Sequence, residues 1–170
     1  MPQPLLRRTV ETTVICPMMY RCATWASCNK TQIDRIQRMQ NWAAKIIAGR
    51  HKFDHCSDVI RELGWLTVLE LIRVKVTTLA YAAANGRFGA DLQGLFRHPP
   101  HEHCTRSQTA GKFTLHRAPT DRGKRAFRFT GPVELNKVMD IVNLQLDSRK
   151  FSSTLKSRML AEPDRPINYR

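Results

Sequence analysis

Four side chains that could bind a metal ion lie close together in the second half of this 170-residue chain. Neutral imidazole and thiolate are good zinc ligands, and such groups occur within seven residues at His98, His101, His103 and Cys104. A structural zinc site usually takes paired ligands from two separate elements, and the sequence contains no Cys-x-x-Cys pair. Surface histidines in a loop are therefore the favoured interpretation and no metal site is assigned, with a small zinc-containing nucleic-acid-binding module as the alternative.

Groups suited to catalysis are sparse. Asp and Glu together number only 14 and are scattered along the chain, and no serine stands in the Gly-x-Ser-x-Gly setting of a nucleophile elbow. Cys104 beside His103 offers a thiol next to an imidazole, but adjacency in sequence does not provide the geometry of a catalytic triad. We therefore expect no catalytic residues and no cofactor.

Net charge is the strongest signal in the composition. Lys and Arg number 28 against 14 Asp and Glu, a formal net charge of +14, which favours a polyanionic partner. Binding to a membrane surface would call for a basic cluster beside an apolar anchor or on a strongly amphipathic helix, whereas here the charge is spread along the chain. The composition therefore predicts binding to RNA, DNA or both through the phosphate backbone, and no membrane partner.

Three groups of basic residues are candidates for this contact. Each Lys or Arg near a phosphate displaces condensed counterions, and an aromatic ring such as that of Phe129 can stack on an exposed base. The predicted nucleic-acid-binding residues form a helical stripe and a loop: Arg35, Arg38, Trp42, Lys45, Arg106, Arg117, Arg122, Lys124, Arg125 and Arg128. A third group lies near the C-terminal end: Arg149, Lys150, Lys156 and Arg158. The alternative for Trp42 is burial against another element, since tryptophan is more often a packing residue.

The stripe belongs to a predicted helix. Asn29 or Thr31 can cap the start of this helix, and Gly49 suits the position after its end at Ala48. At 100° per residue, one broad face gathers Ile33, Ile36, Met39, Gln40, Ala43, Ala44 and Ile47. The opposite face carries the basic residues, with Trp42 among them.

Two shorter helical segments flank that helix. The segment Leu5–Ser27 is apolar but contains Pro17, which predicts a broken helix. A short helix is predicted over Ser57–Leu63, with its first residue as a possible cap and Gly64 at its end.

The clearest helix follows next. Thr67 and Glu70 have the spacing of a capping box, and Asn85-Gly86 supplies a left-handed stop. Apolar residues recur between them every three or four positions, at Leu69, Ile72, Val76, Leu79 and Ala83.

The second half begins with a basic loop predicted over Arg97–Arg128. Inside it, the run Asp121–Arg125 resembles a phosphate-binding turn, because glycine lets backbone N–H groups approach an anion. The alternation at Ala126–Thr130 predicts a short strand, and helical character returns over Val133–Val142 and again from Ser148. The fold class predicted is mainly α, an irregular helical domain with a long basic loop and one short strand or β-hairpin.

Features that would direct a chain out of the cell are weak. No apolar run approaches the ~20 residues of a membrane span, and the start, Met1–Pro17, mixes arginines and Glu11 among its apolar residues. The five cysteines are irregularly spaced, unlike a secreted disulfide framework. These features predict an intracellular protein, nuclear or cytoplasmic, with reduced thiols.

Several short motifs occur in an order similar to that of a known protein region. The run Ile36–Ile47 (IQRMQNWAAKII) precedes Leu63–Val68 (LGWLTV), and Gly123–Pro132 (GKRAFRFTGP) follows further on. In this order, across roughly Thr13–Leu160, the motifs resemble the region C-terminal to the palm in reverse transcriptases of non-LTR (LINE-type) retrotransposons. Two positions depart from the family pattern: Leu135–Val138 keeps only the asparagine of a "WNsLP" motif, and Thr67 replaces the usual proline.

This resemblance implies a thumb-like and connecting region that follows the polymerase palm and helps to hold template and primer. The corresponding division is a helical thumb-like region at 1–96, a basic loop or connector at 97–130, C-terminal helices at 131–161 and a flexible tail at 162–170. The YxDD-type aspartates of the palm are absent, and phosphoryl transfer needs carboxylates that hold two metal ions. A non-catalytic segment of an RNA-directed DNA polymerase is therefore expected, with the missing palm as a further partner. The alternative is a domesticated or remnant helical protein-interaction domain whose charge is inherited.

Overall fold

The computed structural model describes residues 3–98, 111–139 and 147–161, which form helices joined by turns and irregular segments. Within these ranges there is no β-strand, so the mainly α prediction is confirmed. The described residues divide into two compact units, the first holding 3–72 with 157–161 and the second holding most of the remainder, from Arg73 to Lys156. No helix among the described residues is both long and apolar enough to span a bilayer.

The N-terminal segment is a helix broken twice. Helix α1 (Gln3–Val10) continues into a π-helical turn at Glu11–Ile15, followed by the short α2 (Cys16–Met18). Pro17 has no N–H to donate to a carbonyl one turn earlier, and the wider π turn lies directly before it. Arg21, at φ 47°, then separates these turns from α3 (Cys22–Trp25). The predicted broken helix is confirmed.

Helix α4 (Lys30–Ala48) is the main helix of the first unit. The Asn29 side chain accepts a hydrogen bond from the N–H of Gln32 at 3.1 Å, so Asn29 rather than Thr31 is the cap. Gly49 ends the helix in the left-handed region, at φ 64°, where a residue without a Cβ is unstrained. The buried positions are Ile33, Gln40, Ala43, Ala44 and Ile47.

Helix α5 (Ser57–Glu62) packs beside α4 in the first unit. One buried cluster joins Ala44 to Cys56, Val59 and Ile60. The proposed capping by Ser57 is wrong: Cys56 occupies the cap position, makes no side-chain cap bond, and leaves Ser57 as the first helical residue.

Helix α6 (Val68–Ala84) has the capping box that its sequence predicts. The Thr67 N–H donates to Glu70 Oε2 at 2.8 Å, and the Glu70 N–H donates to Thr67 Oγ1 at 3.4 Å. Two otherwise unpaired donors at the helix start are thereby satisfied. Gly86, at φ 74°, follows its C-terminal end as expected.

After α6 the chain continues with α7 (Ala90–Gln93), α8 (Asp121–Arg125), α9 (Phe127–Val138) and α10 (Ser148–Ala161), of which α10 passes from the second unit into the first after Lys156. The strand predicted at Ala126–Thr130 is therefore wrong, because four of its five residues lie in α9. The N–H of Thr130 donates to the Ala126 carbonyl at 3.0 Å, which is a helical bond.

Packing decides the conformation of α9. Residues spaced at helical intervals, Gly131, Leu135 and Val138, are buried together with Pro132, whereas a strand would have turned alternate residues to solvent. Gly131 also leaves room for aromatic rings, since an added Cβ would lie 3.3 Å from atoms of both Phe96 and Phe127. Tertiary contact therefore overrides a five-residue alternation.

Aromatic rings fill much of the core of the second unit. Tyr81 and Phe151 stack with their ring centroids 4.1 Å apart and their planes nearly parallel, and both are buried. Phe96 meets Phe113 and Phe127 edge-on, at 5.7 Å and 6.3 Å. These contacts hold the residues after α7 against the start of α9.

Candidate nucleic-acid interface

The rotation of α4 about its axis is set by a buried amide network. Gln40 is fully buried, and its Nε2 donates to the Leu66 carbonyl at 2.8 Å. The neighbouring Gln37 donates to Gln40 Oε1 at 2.9 Å and accepts from the N–H of Val68 at 2.8 Å. Because these bonds hold one side of α4 inside the first unit, its opposite side must face solvent.

The solvent side of α4 carries the predicted stripe. Trp42 is 60% exposed, so its predicted alternative, burial against another element, is wrong. Arg35 and Arg38 are exposed on either side of it, and Lys45 is half-buried one turn further on. The structure thus brings all four stripe residues to one helix surface.

Two apolar residues outside the predicted stripe lie beside Trp42. Ile46 is 61% exposed one turn after it, and Met39 is 54% exposed almost one turn before it. The helical wheel predicts Met39 on the apolar face, and this prediction is wrong. Met39 lies at the border of that face, and the elements that cover α4 bury Gln40 and Ala43 but not Met39.

The turn after α4 adds an aromatic residue that was not among the predicted ones. Phe53 is 82% exposed, and Lys52 Nζ lies 5.6 Å from the centre of its ring. Lys45 Nζ donates to the Lys52 carbonyl at 2.7 Å, which ties the turn to α4. The sequence feature that could have indicated this exposed ring is a phenylalanine between a lysine and an aspartate, shortly after the glycine that ends the helix.

Lys45 also affects a neighbouring thiol. Burial raises the pKa of Cys56, and the positive charge of Lys45 partly opposes that effect. The Cys56 thiol donates to the Asn41 carbonyl at 3.2 Å. The ammonium group of Lys45 therefore contributes positive potential at the base of the Phe53 turn.

Residues 113–116 of the predicted basic loop are bonded to other parts of the second unit. The Asn136 side chain donates to the Phe113 carbonyl at 2.9 Å and accepts from the Phe113 N–H at 2.8 Å. The N–H of Thr114 donates to the Arg97 carbonyl at 2.8 Å, and His116 Nε2 lies 3.1 Å from the Leu95 carbonyl oxygen. Residues 113–116 are therefore docked along their length.

The run Asp121–Arg125 is a capped helical turn. Thr120 Oγ1 accepts from the Gly123 N–H at 3.1 Å, and this bond takes the glycine N–H that a phosphate-binding turn would use. Lys124 pairs with Asp121 at 3.3 Å across exposed side chains. The prediction of a phosphate-binding turn therefore lacks the free glycine N–H on which it depended.

The remaining predicted residues are distributed over the two units. Those described in the second unit are exposed: Arg117, Arg122, Lys124, Arg125 and Arg128. Arg106 lies outside the described residues. The C-terminal basic group is exposed on α10, with Arg149, Lys150 and Lys156 in the second unit and Arg158 in the first. The stripe thus belongs to the first unit and the basic loop to the second.

Only one member of the histidine cluster is described. His98 stacks on Phe113, with ring centroids 4.7 Å apart, while His101, His103 and Cys104 lie outside the described residues. In the part of the chain that the structure describes, no three His, Cys, Asp or Glu side chains group as a metal site. The zinc alternative stays a prediction.

One arginine next to the motif Leu63–Val68 has a structural partner. Arg73 Nε lies 3.1 Å from Glu134 Oε2, and both side chains are largely covered. Lys137 Nζ approaches the other oxygen of Glu134 at 2.7 Å. The charge of Arg73 is therefore neutralised within the second unit, which distinguishes it from the stripe arginines.

Comparison of the chain with models of protein families, with curated proteins and with solved structures found no match. Its function is therefore inferred from the side chains described above and from the order of its motifs.

Proposed function

We propose that this chain is a nucleic-acid-binding, non-catalytic segment of a LINE-type reverse transcriptase that contacts RNA, DNA or their hybrid through the phosphate backbone. The observation that carries the proposal is the exposed stripe of α4, where Arg35, Arg38 and Lys45 surround Trp42. The order of the motifs shared with the post-palm region supports the parent enzyme. The palm would then be a second partner of this segment.

The stripe cations are available to an external anion. Among the described residues, no carboxylate forms an ion pair with Arg35, Arg38 or Lys45. Arg38 Nε makes only a long bond, 3.4 Å, to the Asp34 carbonyl. Cations without a carboxylate partner, on a chain of net charge +14, gain most from a repeating phosphate backbone, because each contact releases a condensed counterion.

This segment takes no part in the catalytic step of the parent enzyme. Nucleotide addition needs carboxylates that hold two metal ions, and such a motif belongs to the palm. The role of this segment is to add affinity for template and primer and to fix their position.

Titration of labelled RNA, DNA and hybrid at several salt concentrations tests the proposal. We expect the logarithm of the binding constant to fall linearly with the logarithm of salt. Replacing both stripe arginines, Arg35→Gln with Arg38→Gln, should lower the slope by about 1.4 to 1.8, since each phosphate contact contributes ~0.7 to 0.9.

A charge-matched control separates this surface from net charge. Arg8 and Arg61 are exposed arginines of the first unit outside the stripe, and the variant Arg8→Gln with Arg61→Gln loses the same two charges. We expect this control to keep the slope of the wild-type protein. Binding that does not depend on salt would contradict the proposal, as would an acidic protein partner that is recovered after nuclease treatment in place of nucleic acid.

A further inference from the structure

The exposed apolar side chains on and beside α4 are not explained by folding. Each of Met39, Trp42, Ile46 and Phe53 is more than half exposed, although burying a side chain of this size stabilises a fold by ~1.5 to 3 kcal/mol. Three of them adjoin along one helix face, at spacings of three and four residues. An exposed apolar surface that is contiguous along a helix is a candidate binding site.

Hydrogen bonds on both sides of Phe53 fix its position. The N–H of Arg50 donates to the Lys45 carbonyl at 3.0 Å as α4 ends. The N–H of His51 then donates to Asp54 Oδ2 at 2.8 Å, and the N–H of Asp54 donates back to the His51 carbonyl at 3.1 Å. Phe53 therefore stands at the tip of a closed turn that holds its ring in solvent.

Positive charge is concentrated in the segment that carries this apolar surface. Between positions 30 and 55 the chain has six Lys or Arg against two aspartates, and one of these, Asp54, is engaged by the His51 N–H. A partner made only of apolar groups would leave these cations without counter-charges. The combination suits a ligand that has flat apolar faces and a regularly charged backbone.

We propose that Trp42 and Phe53 form a stacking platform for the bases of single-stranded nucleic acid, with the phosphates held by Arg38, Lys45 and Lys52. This inference rests on the proposed function and names its substrate class. Met39 and Ile46 extend the apolar floor beside Trp42, where they contact the edges of the stacked bases or their sugars.

A single strand fits this surface better than a duplex does. In a duplex the faces of the bases are covered by their neighbours, so that exposed aromatic rings have nothing to stack on. In a single strand the bases can splay apart, and each base stacked on an aromatic ring contributes ~1 to 3 kcal/mol regardless of its identity. A phosphate-only contact would require the cations but not the four exposed apolar side chains.

Fluorescence anisotropy with the full chain tests the platform, using a labelled oligothymidylate and a blunt DNA duplex of equal length. Trp42→Ala and Phe53→Ala should each weaken binding of the oligothymidylate by about 5- to 150-fold and leave duplex binding unchanged. Trp42→Phe should restore much of the loss, because a ring is retained. Phe88→Ala is the matched control, since Phe88 is an exposed phenylalanine of the second unit, and its affinity should equal that of the wild-type protein.

Three results would overturn the platform. If the alanine variants bind the oligothymidylate as tightly as the wild-type protein while binding remains salt-dependent, the platform is wrong and the proposed function stands. If the alanine variants lose affinity for the strand and for the duplex equally, the surface binds through charge and the rings do not stack on bases. If the wild-type chain binds neither probe, both proposals fail. Circular dichroism of each variant excludes unfolding, which is not expected because the replaced side chains are exposed.

Discussion

The side-chain amide of Asn136 pairs with the backbone of Phe113 through two hydrogen bonds, at 2.9 Å and 2.8 Å. The amide thus satisfies both the carbonyl and the N–H of a residue in an irregular segment, as a neighbouring strand would do. Phe113 in turn packs edge-on against Phe96. One side chain of α9 therefore fixes the segment that leads to Arg117.

Removing this amide should loosen the segment and lower stability. Asn136→Ala leaves two backbone groups without partners, and we expect the free energy of unfolding in urea to fall by ~1 to 3 kcal/mol. Asn136→Asp should also be destabilising, because a carboxylate would face the Phe113 carbonyl. If either variant is as stable as the wild-type protein, the role assigned to the Asn136 amide is wrong.

Gln40 provides a second test of a buried amide. Gln40→Met keeps the size of the side chain but removes the donor to the Leu66 carbonyl and the acceptor for Gln37. We expect a loss of ~1 to 3 kcal/mol in the free energy of unfolding. The matched control, Gln32→Met in the exposed first turn of α4, should change stability by no more than ~0.5 kcal/mol, and equal effects at both positions would count against the network.

Cysteine reactivity should follow exposure and thiolate population. Cys16 is exposed, whereas Cys56 is buried with a pKa raised by that burial, and only the thiolate is nucleophilic. At neutral pH we expect iodoacetamide to alkylate Cys16 well before Cys56, as measured by peptide mass mapping over time. Lys45→Gln should slow Cys56 further, since it removes the charge that lowers the pKa. In urea the two cysteines should react at similar rates.

Asp147 should show a pH dependence in which Arg87 has the largest effect. A hydrogen bond from Arg87, 2.7 Å long, is the main cause that lowers the pKa of Asp147 below its usual 3.8. A carboxylate with a depressed folded-state pKa contributes stability above its unfolded pKa and loses it as pH falls through the folded one. NMR titration should place the Asp147 midpoint below 3.8, and Arg87→Gln should move it upward. An unchanged midpoint would contradict the pairing.

Local signals in the sequence determined the main helices of this protein. The cap Asn29, the stop Gly49 and the box formed by Thr67 and Glu70 each act on groups no more than four residues away in the chain, and the structure has the bonds that they predict. Helical periodicity also indicated which side of α4 carries Arg35, Arg38 and Trp42. These features depend only on backbone geometry and on nearest neighbours, so the sequence specifies them directly.

Tertiary structure decided what periodicity left open. Met39 and Ile36 lie on neighbouring parts of the helical wheel, and only the extent of the covering elements exposes the first and half-buries the second. The alternation before Gly131 became a helix because burial against distant aromatic rings outweighs a five-residue pattern. Lys45 likewise donates to the Lys52 carbonyl, seven residues further on, and helical periodicity does not predict this bond between α4 and the turn that carries Phe53.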